Sequence, residues 1–329
     1  MRGFEQGWAA WSLTALFLLS SCQLRRERAE PRSSSTPPAA PAPSTHPGAP
    51  APKDSILEHE GHARRFRVHV PPSAGREAAA LIVLHGGGGS IEKIEEQTRL
   101  SRTAAERGFV LVYPNGNGTQ WNDGRPEAAA GGDDVGFLTR LVGEMKKVAS
   151  IDEKRVFLAG VSNGGMMTLR MACERTALFA GYAVISASMP KALAPLCKPS
   201  APVSIVFVHA PEDPIMPWAG GEIKAGRRHG VGGEVIGLPR TIELWRTHNG
   251  CAETPSVQAL PDRDPHDGTR VTRKTHVGCQ GRLQLYQVDG GGHTWPGGTP
   301  GLIQRQVTGS STRDVSGNDV LVEFFALGR

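Results

Sequence analysis

The stretch that most limits what this chain can become is residues 156–167. There an apolar, β-branched run climbs into Gly160-Val-Ser162-Asn-Gly164 and a helix-forming segment follows at once. Strand, sharp turn and helix in that order hold the central serine in a strained backbone at the top of a sheet, with its hydroxyl pushed into the open. The turn is tight enough that side chains two residues either side of Ser162 would collide with neighbouring backbone, and glycine occupies both positions. Glycine and serine are common, so the five-residue pattern alone says little. Its weight comes from the strand before it, the helix after it and partners in the right order downstream.

With 329 residues and 39% apolar content, the chain has room for one large domain plus extras. The formal charge of +5 is modest for this length and has no long basic block, so no nucleic-acid partner is expected. Residues 1–21 read as a leader. Arg2 precedes an apolar segment, residues 8–19, that is too short to span a bilayer stably. It runs into Leu19-Ser-Ser-Cys22, which resembles a bacterial lipobox, so Cys22 is the expected lipidation site and the membrane the expected partner through it. Gln23 fits the outer-membrane pattern. The expected location is extracytoplasmic, as an outer-membrane or cell-surface lipoprotein, with plain secretion as the alternative. Residues 22–52 carry the lipidated cysteine and a Pro/Ala/Ser-rich tether with no apolar periodicity, an extended spacer. Residues 53–329 form the catalytic domain.

In that domain, strand patterns appear at residues 65–70, 81–84, 109–113, 183–186, 203–208 and 283–288 besides the one ahead of Ser162. Between them, residues 91–107 offer Ile94, Leu100 and Ala104 as one helical face. Leu138, Leu141, Val142, Met145 and Val148 recur at helical spacing behind a cap at Asp133 or Asp134, and residues 315–327 close the chain as a helix. Strands alternating with helices predict a mostly parallel central sheet covered on both faces, a three-layer α/β-hydrolase sandwich. In such sheets catalytic groups collect at the carboxyl ends of strands.

A serine hydroxyl needs a base to become a nucleophile at neutral pH, and in this fold the order is serine, acid, histidine. Strand 203–208 runs into His209-Ala-Pro-Glu-Asp213, which makes Asp213 the expected orienting acid; Glu212 is its neighbour and competitor. Strand 283–288 runs into a glycine-flanked loop carrying His293, the expected general base. Activity is therefore expected to rise with pH as the base loses its proton, and a flat profile from about pH 5 to 8 would contradict that base. The oxyanion needs two N–H donors. One is expected from the backbone of Asn163, the other from the run Gly86–Gly89 after strand 81–84, with Gly87 favoured and Gly88 next. His85 is expected to shape that loop. No phosphate-binding lysine follows the glycines, and the eleven histidines show no metal-ligand spacing, so neither cofactor nor metal is expected. The glycine-rich, basic segment 218–237 follows the acid loop and is expected to be a solvated loop, with a substrate rim as the alternative.

Taken together, Asp133-Asp-Val-Gly-Phe-Leu138, Gly160-Val-Ser-Asn-Gly-Gly-Met-Met167, Ala172-Cys-Glu174 and Gly292-His-Thr-Trp-Pro-Gly297 resemble the polyhydroxybutyrate-depolymerase/feruloyl-esterase group, relatives of carbohydrate esterase family 1. The resemblance spans residues 55–327. It implies a secreted serine esterase acting on polymer-linked or aromatic esters, with Ser162, Asp213 and His293 as its triad and Trp121 and Trp295 as candidate pocket walls. One departure is the acid loop, where His209-Ala-Pro-Glu-Asp stands in place of the group's His-Gly-Thr-x-Asp. With Cys22 set aside, Cys173, Cys197, Cys251 and Cys279 allow three pairings; the resemblance implies 173–197 and 251–279. Two other functions compete. One is a peptidase of prolyl-oligopeptidase type, which usually carries a propeller this chain has no room for. The other is a non-catalytic envelope lipoprotein that binds polysaccharide, which would have no need of an intact triad.

Overall fold

The computed structural model describes residues 51–224, 232–298 and 306–328. The leader, Cys22 and the tether up to residue 50 lie outside the described residues, as does the middle of the basic segment after the acid loop.

Ten strands form one sheet. In chain order they are β1 (Lys53–His59), β2 (His62–His69), β3 (Ala78–Leu84), β4 (Val110–Pro114), β5 (Ile151–Val161), β6 (Gly181–Ile185), β7 (Ile205–His209), β10 (Ser256–Ala259), β11 (Arg270–His276) and β12 (Leu283–Asp289). The two short strands between β7 and β10, β8 (Gly221–Glu222) and β9 (Glu234–Val235), pair only with each other. Across the large sheet the order is β1-β2-β4-β3-β5-β6-β7-β12-β11-β10. The six central strands from β4 to β12 run parallel; antiparallel neighbours flank them at both edges.

Side chains alternate across a strand, so each central strand feeds two cores. Ala80, Ile82 and Leu84 of β3 pack on one face with α3 (Asp134–Val148), α4 (Asn163–Glu174) and α5 (Leu238–His248). Leu81 and Val83 pack on the other with α1 (Ile91–Thr98), α2 (Leu100–Arg107) and α6 (Gly317–Phe325). The result is the predicted three-layer sandwich. All seven residues of β3 are buried, as a strand covered on both faces requires.

Asp133 caps α3, accepting from the Gly136 N–H at 2.8 Å. Asp134 points inward instead and pairs with the buried Arg64 at 2.5 Å. Three features differ from the sequence reading. The helical stretch 91–107 is two helices, broken at Arg99 with φ 49°. Thr98 Oγ1 meets Ile94 O, Tyr113 Oη and the Leu100 N–H there, offering the backbone a local alternative to helix continuation. The C-terminal helix is shorter than expected and begins at Gly317. Strands β1, β10 and β11 were not expected. β1 and β10 are the two edge strands, with β11 between β10 and β12, and β10 is exposed at every residue, so it has no apolar period.

The four cysteines form two disulfides, Cys173–Cys197 and Cys251–Cys279. The first ties the end of α4 to the loop before β7; the second closes the base of the β10–β11 hairpin.

Candidate active site

β5 delivers Ser162 into a backbone that few non-glycine residues adopt, φ 56° and ψ −121°. Two backbone bonds hold it: the Ser162 N–H donates to Ile185 O at 2.9 Å, and Ser162 O accepts from the Met166 N–H at 2.9 Å as α4 begins. The flanking glycines are sterically required. A Cβ on Gly160 would stand 2.2 Å from Gly164 O, and one on Gly164 would stand 2.5 Å from His85 O. Such strain persists only where the surroundings over-determine it, and it clusters at reactive side chains.

The acid and the histidine arrive from β7 and β12. A carboxylate only accepts, so Nδ1 of His293 carries the proton and donates to Asp213 Oδ2 at 2.8 Å. The other oxygen, Oδ1, accepts from the N–H groups of Ile215 and Met216, both at 2.8 Å. Burial on its own would raise the Asp213 carboxyl, but His293 and these hydrogen bonds outweigh it and hold the group below the ordinary carboxylate range. The competing acid, Glu212, is turned away and accepts from the Gly290 N–H at 2.9 Å. The departure at residues 209–213 therefore leaves the acid–base contact in place. His209 is buried beside Asp213, and burial pushes its imidazole down toward the neutral form. The loop carrying His293 is pinned at Gly292, whose N–H donates to Ser310 O at 2.8 Å; a Cβ there would lie 2.0 Å from Thr308 O.

The glycine run after β3 sits against the serine, and a Cβ on Gly86 would be 3.4 Å from Ser162 Cβ. His85 Nδ1 donates to Gly86 O at 2.8 Å while its Nε2 accepts from the Gly116 N–H at 3.0 Å, so this histidine shapes the loop. Burial takes its imidazole down to about 4. The Gly88 N–H is engaged by Thr119 O at 2.9 Å, whereas the Gly87 N–H has no acceptor among the described residues. Asn163 opens α4, where helix geometry leaves its N–H without an intrahelical acceptor.

Of the two candidate pocket walls, Trp121 is not one and Trp295 borders the cleft with little exposed surface. Trp121 is fully buried; its indole N–H donates to His85 O at 3.0 Å, and its ring packs on the imidazole at 5.1 Å. It braces the glycine loop from behind and has no face to offer a substrate. Trp295 does border the cleft but is only 2% exposed, with its indole N–H donating to Asn318 Oδ1 at 3.0 Å. That cleft, about 500 Å³, runs from Gly86–Gly89 past His293 to Lys93, Gln97, Arg99 and Asn318, so its lining is largely polar. Spacing alone did not reveal what the side chain of Asn163 does. Its Oδ1 accepts from the Trp121 N–H at 2.8 Å, and its Nδ2 donates to Trp121 O at 2.9 Å and to Asp123 Oδ2 at 2.6 Å. The partners lie in loop 115–132, where no periodic pattern flags them.

An elbow serine, an acid-bound histidine and a glycine loop lie at the carboxyl ends of parallel strands in an α/β-hydrolase fold. A family model described as esterase PHB depolymerase matches residues 65–191. NocK, a protein of Nocardia uniformis subsp. tsuyamanensis named as a candidate esterase, is 31% identical over 325 residues, covering 89% of this chain and 92% of that protein. The chain belongs to the esterase PHB depolymerase family and is a carboxylic ester hydrolase. Feruloyl esterase B of Piromyces equi is 25% identical over 228 residues, 67% of this chain but 40% of that longer protein. The acetyl xylan esterase of Aspergillus awamori shares the fold, with a TM-score of 0.55 at 16% identity over 80% of this chain and 94% of that one.

Proposed function

We propose that this esterase works through a Ser162–His293–Asp213 acyl-enzyme cycle on esters carried by a polymer or an aromatic acid, outside the cytoplasm and anchored by Cys22. His293 Nε2 takes the Ser162 proton as Oγ attacks the ester carbonyl, then returns it to the leaving alcohol. Asp213 holds the ring in the tautomer that leaves Nε2 free. The N–H groups of Asn163 and Gly87 receive the oxyanion, and water releases the acyl group by the same steps in reverse. The observation that carries this reading is the His293 Nδ1–Asp213 Oδ2 bond at 2.8 Å with Asp213 kept ionised, in a chain whose serine has the elbow backbone.

The polymer or aromatic ester is suggested by the relatives, named for feruloyl and acetyl xylan ester cleavage; hydroxyalkanoate esters follow from the family description. Export is supported by the two disulfides, which persist in oxidising compartments, and by the lipobox-like sequence ahead of Cys22. In this reading residues 1–21 are removed, 22–52 tether, and 53–329 catalyse.

Hydrolysis of p-nitrophenyl acetate and methyl ferulate by the purified protein, beside Ser162→Ala, tests the cycle. Turnover that falls to background in the variant supports it; serine-independent turnover overturns it. Relative rates on the two esters separate a small-acyl site from an aromatic one.

A further inference from the structure

Asn163 has a side chain with nothing left over: one oxygen and both amide hydrogens are committed, two contacts to the backbone of Trp121 and one to Asp123. Asp123 is fully buried. Its carboxylate is matched by Arg125, whose Nε reaches Oδ1 at 2.9 Å and whose terminal nitrogen reaches Oδ2 at 2.7 Å, both side chains withdrawn from solvent. Arg125 in turn donates to Gly232 O. A buried ion pair is weak evidence of stability, because removing two charges from water offsets much of their attraction. Here the same Oδ2 that meets Arg125 also accepts from the side chain of Asn163, the residue that follows the elbow serine.

We infer that Asp123 is a positioning residue for ester hydrolysis, orienting the oxyanion-donating N–H of Asn163 by gripping the Asn163 side chain. This rests on the reading of Asn163 as an oxyanion donor. The donor's peptide plane follows Ser162, whose φ of 56° puts it outside the ordinary basins. Local propensity does not hold the plane there; the Met166 N–H bond to Ser162 O fixes it from the helix side, and the three side-chain bonds of Asn163 brace it from loop 115–132. Arg125 pairs with Asp123 away from solvent, a setting in which hydrogen bonds are stronger than in water. The consequence falls on the transition state, since the ground-state carbonyl makes weaker use of the hole.

The test is a double-mutant cycle in the full-length enzyme, with Asp123→Ala, Asn163→Ala and the pair, on p-nitrophenyl acetate. Each single variant is expected to lose about 10- to 100-fold in kcat with KM within about twofold, since losing one whole oxyanion donor lowers kcat by about 10²–10³. Added to Asn163→Ala, the Asp123 change is expected to remove no more, because both act through one contact. Affinity for phenylboronic acid, which forms a tetrahedral adduct on the serine, is expected to fall in step with kcat. If Asp123→Ala does not fold, Asp123→Asn takes its place in the cycle with the same expected non-additivity and a smaller loss. Folded variants with wild-type kcat, losses that add, or a loss confined to KM would overturn the inference. Ser162→Ala is measured alongside: if that variant still turns over ester, the acyl-enzyme reading itself has failed, whatever the cycle shows.

Discussion

Two histidines flank the site and do opposite things. His293 donates its Nδ1–H to Asp213 in a hydrogen bond and faces the cleft, whereas His85 spends both nitrogens on loop backbone and is buried. Asp213→Asn keeps the shape of the acid but favours the wrong histidine tautomer; kcat is expected to fall by about 10³–10⁴, with little change in Tm, as assays at fixed pH can show. His85 makes a different prediction. Its folded value of about 4 lies below the 6.5 of an unperturbed imidazole, so between those values the unfolded chain binds a proton that the native chain refuses. Stability from this group is intact above about 6.5 and is lost as pH falls toward about 4, to the extent of about 3 kcal/mol at 1.36 kcal/mol per unit. Urea melts across that window are expected to show the slope, and His85→Gln to flatten it; an unchanged slope would place the acid sensitivity elsewhere.

At the scale of elements, the turn between β5 and α4 is the least forgiving part of the chain. Gly164→Ala puts a methyl 2.5 Å from His85 O and 2.6 Å from Leu84 O, backbone atoms of the neighbouring strand end that have nowhere to go. Overpacking of this kind costs about 1–3 kcal/mol. It also shifts the glycine loop against the serine, so the variant is expected to lose activity beyond its loss of stability; unfolding curves and kcat on the same preparation separate the two. The strand–turn–helix was legible because its glycine spacing has a steric cause local to the sequence. The break at Arg99 was not. Ile94, Leu100 and Ala104 are all buried on one face, as a single helix would also have them, and the interruption comes from Thr98 meeting Tyr113 of β4.

For the whole molecule, the disulfides close segments with separations of 24 and 28 residues, and none of their cysteines lines the cleft. In the chain-entropy model each contributes about 3 kcal/mol. The double variant Cys251→Ser/Cys279→Ser is expected to lose about that much in urea denaturation while the folded enzyme keeps its kcat, since the hairpin it closes lies at the sheet edge away from Ser162. A drop in kcat without a drop in stability would show that the edge hairpin reaches the site. Among the described residues no helix is long and apolar enough to cross a membrane.

The sequence by itself determined the parts of this protein whose cause is short-range or periodic. The elbow is written in the spacing of Gly160, Ser162 and Gly164, the central strands in unbroken apolar runs, and Asp213 and His293 in their places directly after strands. Only the tertiary structure decided which neighbours those residues meet. Asp213 rather than Glu212 faces His293 because of how the loop after β7 folds. Among the described residues the Gly87 N–H meets no acceptor, while the Gly88 N–H donates to Thr119 O. Trp121, fit on paper to line a pocket, is fully enclosed behind His85, and Asn163 is held by Asp123 from a loop 40 residues upstream. The physical reason is common to all four. Propensity and spacing act along the chain, but a hydrogen bond or a burial depends on which distant segment closes over the group.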